Sequence, residues 1–202
     1  MPLRPFLIWL ALVVAIGGPL AIAASSPLLA WRQPVYIIAG FAGVCGLAML
    51  LLQPLLASGR LPGLALPVSR RIHRFLGAAL VAVVIVHVAG LWVTSPPDVI
   101  DALTFASPTP FSAWGVIAMW TIFLTGLIAA LRRRLRLSPR QWQWVHMALA
   151  VVIVVSTIVH ALLIDGTMGT LSKAMLCALV AGAALWVMID MKRRRSGKRR
   201  SR

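Results

Sequence analysis

The 202-residue chain contains no glutamate, and its aspartates are only Asp98, Asp101, Asp165 and Asp190. Charged residues make up 12% of the sequence, where a soluble domain carries about a quarter. Cysteine is nearly absent as well. Cys45 and Cys177 stand alone in separate apolar stretches, with no Cys-x-x-Cys and no Cys-x-x-Cys-His. That pattern excludes a thioredoxin-like dithiol and covalent c-type haem attachment, and leaves the thiols as small packing residues. No Gly-x-Gly-x-x-Gly is present, so no dinucleotide-binding unit is encoded in these residues.

What fills the sequence instead is apolar: 60% of residues are hydrophobic, and they come in blocks rather than as one face of an amphipathic pattern. Six blocks, at about 6–24, 35–56, 72–94, 111–131, 143–164 and 170–190, are each long enough to cross a hydrocarbon core of roughly 30 Å. Alternating stretches of about ten residues are missing, so a β-barrel is excluded and each block is expected to be a helix that satisfies its own backbone. The expected fold is an all-α integral membrane protein, a bundle of six transmembrane helices occupying residues 1–190, followed by a basic tail at 191–202. Pro19 and Pro54 fall toward the ends of the first and second spans, where distortion is tolerated.

The formal net charge of +16 would suit nucleic acid, but its distribution argues otherwise. Of the 20 basic residues, all but Arg32 and Lys173 fall in the segments 1–5, 57–74, 132–142 and 191–202, which alternate topology places on one side. By the positive-inside rule that side is the cytoplasm, and both termini lie there. Binding to nucleic acid is not expected. The early Arg4, the apolar centre and the small residues near Ala21 and Ala23 also fit a signal peptide, but the apolar run is long for one, so the first span is expected to be retained.

The four histidines form two pairs of equal spacing, HRFLGAALVAVVIVH from His73 to His87 and HMALAVVIVVSTIVH from His146 to His160. Fourteen residues of α-helix rise about 21 Å and fall about 40° short of four turns, so each pair lies on one helix face with a member near each membrane surface. The third and fifth spans run parallel. If their histidine faces meet, His73 comes level with His146 near the cytoplasm, and His87 with His160 near the opposite surface. A zinc site drawing on all four is ruled out, since its ligands must converge within about 2 Å of one point. Haem iron accepts one imidazole on each side of the porphyrin, and two facing helices supply that. The expectation is two b-type haems, or at least one, with His73 and His146 ligating the inner iron and His87 and His160 the outer. Purely structural histidines, or a proton relay, explain the equal spacing poorly, and a relay would recruit acidic residues at mid-depth, where there are none.

Neighbouring residues suit this reading. Gly77 and Ala150 each follow an inner histidine by four residues, leaving room beside the ligands. Arg70, Arg71, Arg74 and Arg140 gather at the cytoplasmic layer as candidate contacts for haem propionates, with Arg32 and Trp92 as candidates for the outer layer. Trp142 and Trp144 flank the inner layer. Met119, Met147, Met175 and Met188 are read as packing rather than axial ligands. Asp165-Gly166 reads as a tight turn, and the outer loop TSPPDVIDALTFASPTP is expected to start a short helix near Ser95 that lies over the outer layer. Asp98 and Asp101 in it are a candidate attraction for a cationic substrate, a solvated face being the plainer reading.

With these elements in place, Arg-Arg-Ile-His-Arg-Phe-Leu-Gly from Arg70, the second histidine at His87, Trp-x-Trp-Val-His ending at His146 and Val-His-Ala-Leu-Leu-x-Asp-Gly from Val159, the chain resembles the ferric reductase-like transmembrane domain superfamily over about residues 5–190. That superfamily includes NADPH oxidases, iron reductases and the haem-binding subunit of a bacterial methionine sulfoxide reductase system. The resemblance implies b-type haems that carry electrons outward across a bacterial inner membrane, with the four histidines as ligands. The oxidases and iron reductases continue into flavin and nicotinamide domains, whereas this sequence runs from its last span into MKRRRSGKRRSR. A donor in trans is therefore expected, either a cytoplasmic flavin-containing reductase or membrane quinol, with an acceptor protein or small molecule outside. The tail reads as a lipid-contacting anchor or as a docking patch for an acidic donor. The alternatives are an autonomous quinol-linked reductase of ferric iron or oxygen, and a haem-free membrane scaffold.

Overall fold

Proline starts most of the helices. A computed structural model describes the backbone of residues 3–200 and the side chains of residues 3–193; the side chains of the basic tail from Arg194 onward lie outside the described residues. The helices are α1 (Leu3–Ala24), α2 (Pro34–Ser58), α3 (Leu66–Thr94), α4 (Pro96–Leu103), α5 (Pro110–Leu131), α6 (Pro139–Leu163) and α7 (Thr170–Arg200), with a single 3-10 turn at Pro27–Leu29. Helices α2 to α6 each carry proline in the first turn, where the missing N–H is not needed and the fixed φ is already helical. Among the described residues there is no strand. Six helices, all but α4, are long and apolar enough to cross a membrane, α7 through Arg193. The protein is a multi-pass helical membrane bundle.

Two spans begin earlier than the hydropathy suggests. Helix α3 starts at Leu66 instead of 72, and α6 at Pro139 instead of 143. Hydropathy registers only the apolar part, whereas backbone signals set the helix end. Ser138 Oγ accepts from Gln141 N at 3.2 Å while Gln141 Oε1 accepts from Ser138 N at 3.0 Å, a reciprocal cap that fixes the start of α6. Arg70, Arg71 and Arg74 thus sit on the first turns of α3 rather than in a loop. At the other end of α2, Gly59 takes φ 66°, and the amides of Gly59 and Arg60 cap the carbonyls of Leu56 and Leu55.

The bundle consists of two helix pairs facing one another. Helix α2 packs along α3 and α5 along α6, while α7 backs α2 and α6 and α1 lies at the edge against α7 and α2. Leu47, Leu50 and Leu51 of α2 meet Leu80, Ile122, Ile153 and, from α7, Leu176 and Val180 in the core. Val13, Phe75, Leu171 and Met175 face outward, as lipid requires. Close approach comes from small residues, the main lever where water supplies no driving force between helices. A Cβ on Gly90 would stand 2.8 Å from that of Ala39, so α3 touches α2 there. Helices α3 and α6, by contrast, are not among the closely packed pairs. The space between them is where the histidines project.

The connection between α6 and α7 departs from expectation. Residues 164–169 form an irregular segment rather than a tight turn at Asp165-Gly166, because Thr167 and Met168 fold back into the bundle and are buried. Gly40 makes the room, since a Cβ there would collide with Thr167 Cγ2. At the arginine-rich end, Arg60 pairs with Asp190 at 2.6 Å and lies over the Trp186 ring, tying the α2–α3 loop to α7.

Candidate functional site

Across the space between α3 and α6 the four imidazoles stand as two pairs. The His73 and His146 ring centroids are 6.0 Å apart with planes crossed at 86°, and those of His87 and His160 are 6.5 Å apart at 82°. A metal–imidazole bond is about 2 Å and the ring centre lies roughly an ångström further, so two imidazoles on opposite sides of one metal hold their centroids about 6 Å apart. Both separations fall close to that value. Among the described residues no three of His, Cys, Asp and Glu gather at one point, so each layer offers two nitrogen donors and no more.

Hydrogen bonds decide which nitrogen each ring presents. His87 Nδ1 lies 2.7 Å from the Ala39 carbonyl, His160 Nδ1 2.8 Å from the Phe111 carbonyl, and His73 Nδ1 3.2 Å from the Gln53 carbonyl. A carbonyl can only accept, so Nδ1 carries the proton and donates it, leaving Nε2 with a free lone pair. This is the partner arrangement that orients metal-binding imidazoles and raises their basicity. His146 differs: its Nδ1 is buried without a hydrogen-bond partner, and the ring is held by stacking on Trp142 at 4.9 Å, one helical turn earlier.

The two outer rings are seated alike. Helix α2 supplies the Ala39 carbonyl and, four residues on, Gly43, whose added Cβ would lie 3.1 Å from the His87 ring. Helix α5 supplies the Phe111 carbonyl and, four residues on, Gly115, whose Cβ would lie 2.7 Å from His160 Nδ1. Each pair thus divides the work, α2 and α5 holding what α3 and α6 present. Sequence reasoning missed all four positions. The glycines leave a faint trace, since glycine inside a helix costs about 1 kcal/mol and needs a reason; the carbonyls leave none. A Cβ on Gly77 would meet only the Gln53 side chain, at 3.7 Å.

His87 and His160 open onto a cavity of about 850 Å³ whose walls include Gly43, Gly46, Leu80, Ala118 and Ile122. That is within the several-hundred-cubic-ångström range of sites for cofactors. Helix α4 roofs it through Val99 and Ala102, as the outer loop led us to expect, with Ser95 Oγ donating to Asp98 at 2.6 Å. Exposed Asp98, Asp101 and Arg32 line its polar mouth, and Lys173 lines it from a buried position. Trp92 does not: it lies in a separate apolar groove with Ile85, Val88, Met119 and Phe123. Five residues after His87 turn the helix about 140° away from the histidine face. Arg70, Arg71, Arg74 and Arg140 are all exposed at the arginine-rich end, the end at which His73 and His146 lie. Trp144 is 55% exposed, unlike Trp142, which stacks on the His146 ring.

The donor set, the tautomers and the cavity fit b-type haem between α3 and α6. A helical membrane bundle with imidazole pairs at two depths is the architecture of a transmembrane electron carrier. The chain matches the family model described as ferric reductase like transmembrane component over residues 39–157, more than half its length, and belongs to that family. The match opens at Ala39, whose carbonyl holds His87, and takes in three of the four histidines. No curated protein and no solved structure matched. The family gives the protein a membrane electron-transfer or reductase role.

Proposed function

We propose that the protein is a b-type cytochrome that carries electrons across a bacterial inner membrane as the membrane subunit of a reductase. The supporting observation is the pairing of four imidazoles, three of them anchored through Nδ1, across the space between α3 and α6. His73 and His146 hold the inner iron and His87 and His160 the outer, and haem bound there supplies a one-electron carrier at each depth. Ala39 O, Phe111 O and Gln53 O keep three of the ligands in the metal-binding tautomer. Leu80, Ile122 and Ile153 make the interior between the layers apolar. Arg70, Arg71, Arg74 and Arg140 provide cationic partners for inner propionates and a basic face toward a donor. That donor is a flavin-containing reductase or membrane quinol, and the acceptor lies outside. Reconstitution in vesicles enclosing ferricyanide, with the arginine-rich face outward and reduced flavin or a quinol analogue added externally, tests this directly. Protein-dependent bleaching of the enclosed acceptor is the expected result; a rate equal to that of protein-free vesicles rejects the reading.

The unanchored His146 has a consequence. Loss of a partner to a ligating histidine weakens binding by about 10–100-fold, so His146 is the ligand an added small molecule displaces first. After dithionite reduction, carbon monoxide is expected to shift the Soret band of only one of the two haems, and that sensitive fraction is expected to vanish in His146→Ala. Equal reaction of both haems would contradict this.

A further inference from the structure

Among the described residues Lys173 is the one buried cation, with 4% of its surface exposed. A buried ammonium needs partners for three N–H donors, and leaving its charge unpaired in a low-dielectric interior is costly. The Ile164 carbonyl accepts one donor. The nearest carboxylate oxygen, on Asp165, is 3.9 Å away, beyond hydrogen-bonding distance, and its side chain is 101% exposed. Among the described residues no buried carboxylate pairs with this ammonium. Yet Lys173 lines the same cavity as His87 and His160. Ile164 follows His160 by four residues, which places the ammonium about 6 Å nearer the outer surface than the ligand.

We infer that Lys173 is a carboxylate-binding site of the outer cavity. Resting on the haem reading proposed above, the favoured ligand is a propionate of the outer haem. A haem held between His87 and His160 would bring two carboxylates into the cavity that Lys173 lines. A free carboxylate bound at the mouth has the same chemistry. Arg32 shares the cavity but is exposed and lies over the Tyr36 ring at 4.8 Å, so its charge is already hydrated and partnered. Lys173 was set aside in the sequence as one of two exceptions to the charge asymmetry, which describes its side of the membrane and not its burial.

The test uses full-length protein carrying His73→Leu and His146→Leu, so that only the outer pair remains. This protein, and versions that add Lys173→Met or Lys173→Arg, are titrated in detergent with protohaem and with its dimethyl ester, following the Soret band. With Lys173 intact, protohaem is expected to bind about tenfold or more tightly than the ester. Lys173→Met should erase that preference and Lys173→Arg retain it. An unchanged preference in Lys173→Met, combined with loss of citrate binding measured calorimetrically, would assign the site to a free carboxylate. Unchanged preference and unchanged citrate binding would overturn the inference. If neither porphyrin binds any of the proteins, the haem reading fails, and the citrate arm alone decides whether Lys173 binds a carboxylate.

Discussion

His160→Ala is expected to lower the haem content from about two per chain to about one, counted by pyridine haemochrome against protein mass. His87→Ala should do the same, and combining either with His146→Ala should leave almost none. The effect is large because each layer has only two donors, and no third His, Cys, Asp or Glu stands near enough among the described residues to replace a lost one. The remaining haem should keep its low-spin spectrum, since the two layers are separated by about 21 Å of helix and share no ligand. The pairing itself makes a sharper prediction. Double substitution within a layer, His87→Ala with His160→Ala, should cost no more haem than either change alone. Double substitution across layers should cost twice as much. If His87→Ala and His146→Ala instead removed the same haem, the pairing seen in the structure would not be the ligand pairing.

Gly115→Ala is the second substitution expected to act strongly, although it adds only a methyl group. Its Cβ would stand 2.7 Å from His160 Nδ1 and 2.8 Å from Cε1, closer than non-bonded atoms tolerate. The ring must move, and in moving it loses the Phe111 carbonyl that fixes its tautomer. Overpacking of this kind costs about 1–3 kcal/mol, and here it falls on the ligand itself. Outer-layer haem affinity should drop by at least about tenfold, with high-spin bands appearing in the oxidised spectrum. Gly43→Ala, with its contact at 3.1 Å to the His87 ring, should have a weaker effect of the same kind. Gly77→Ala is the control: its nearest neighbour, Gln53 Nε2, is 3.7 Å away, an ordinary contact. Equal spectra for Gly115→Ala and Gly77→Ala would mean that the His160 seat is not required for binding.

These two experiments also mark what the sequence could and could not convey. Lipid forces each span to be a long apolar helix, so the six spans were legible from composition alone. The matching heights of His73 with His146 and His87 with His160 were legible because a helix turns a spacing into a position. The seats were not. Ala39, Phe111 and Gln53 act through backbone carbonyls, for which almost any side chain would serve, so their identity carries no signal. Gly43 and Gly115 matter through what packs against them from another helix. Trp92 shows the reverse error: it is near His87 in sequence and at a suitable depth, but about 140° around the helix from it. The 164–169 segment looked like a turn because of Asp165-Gly166, when burial of Thr167 and Met168 governs its path.

The decisive measurement is a haem count joined to an optical spectrum of the purified, haem-supplied wild-type chain. About two haems per chain, with sharp Soret, α and β bands on dithionite reduction and a low-spin oxidised form, is the result that crossed imidazole pairs require. A colourless protein that stays folded in the presence of excess haem would show that His73, His87, His146 and His160 only pack the bundle.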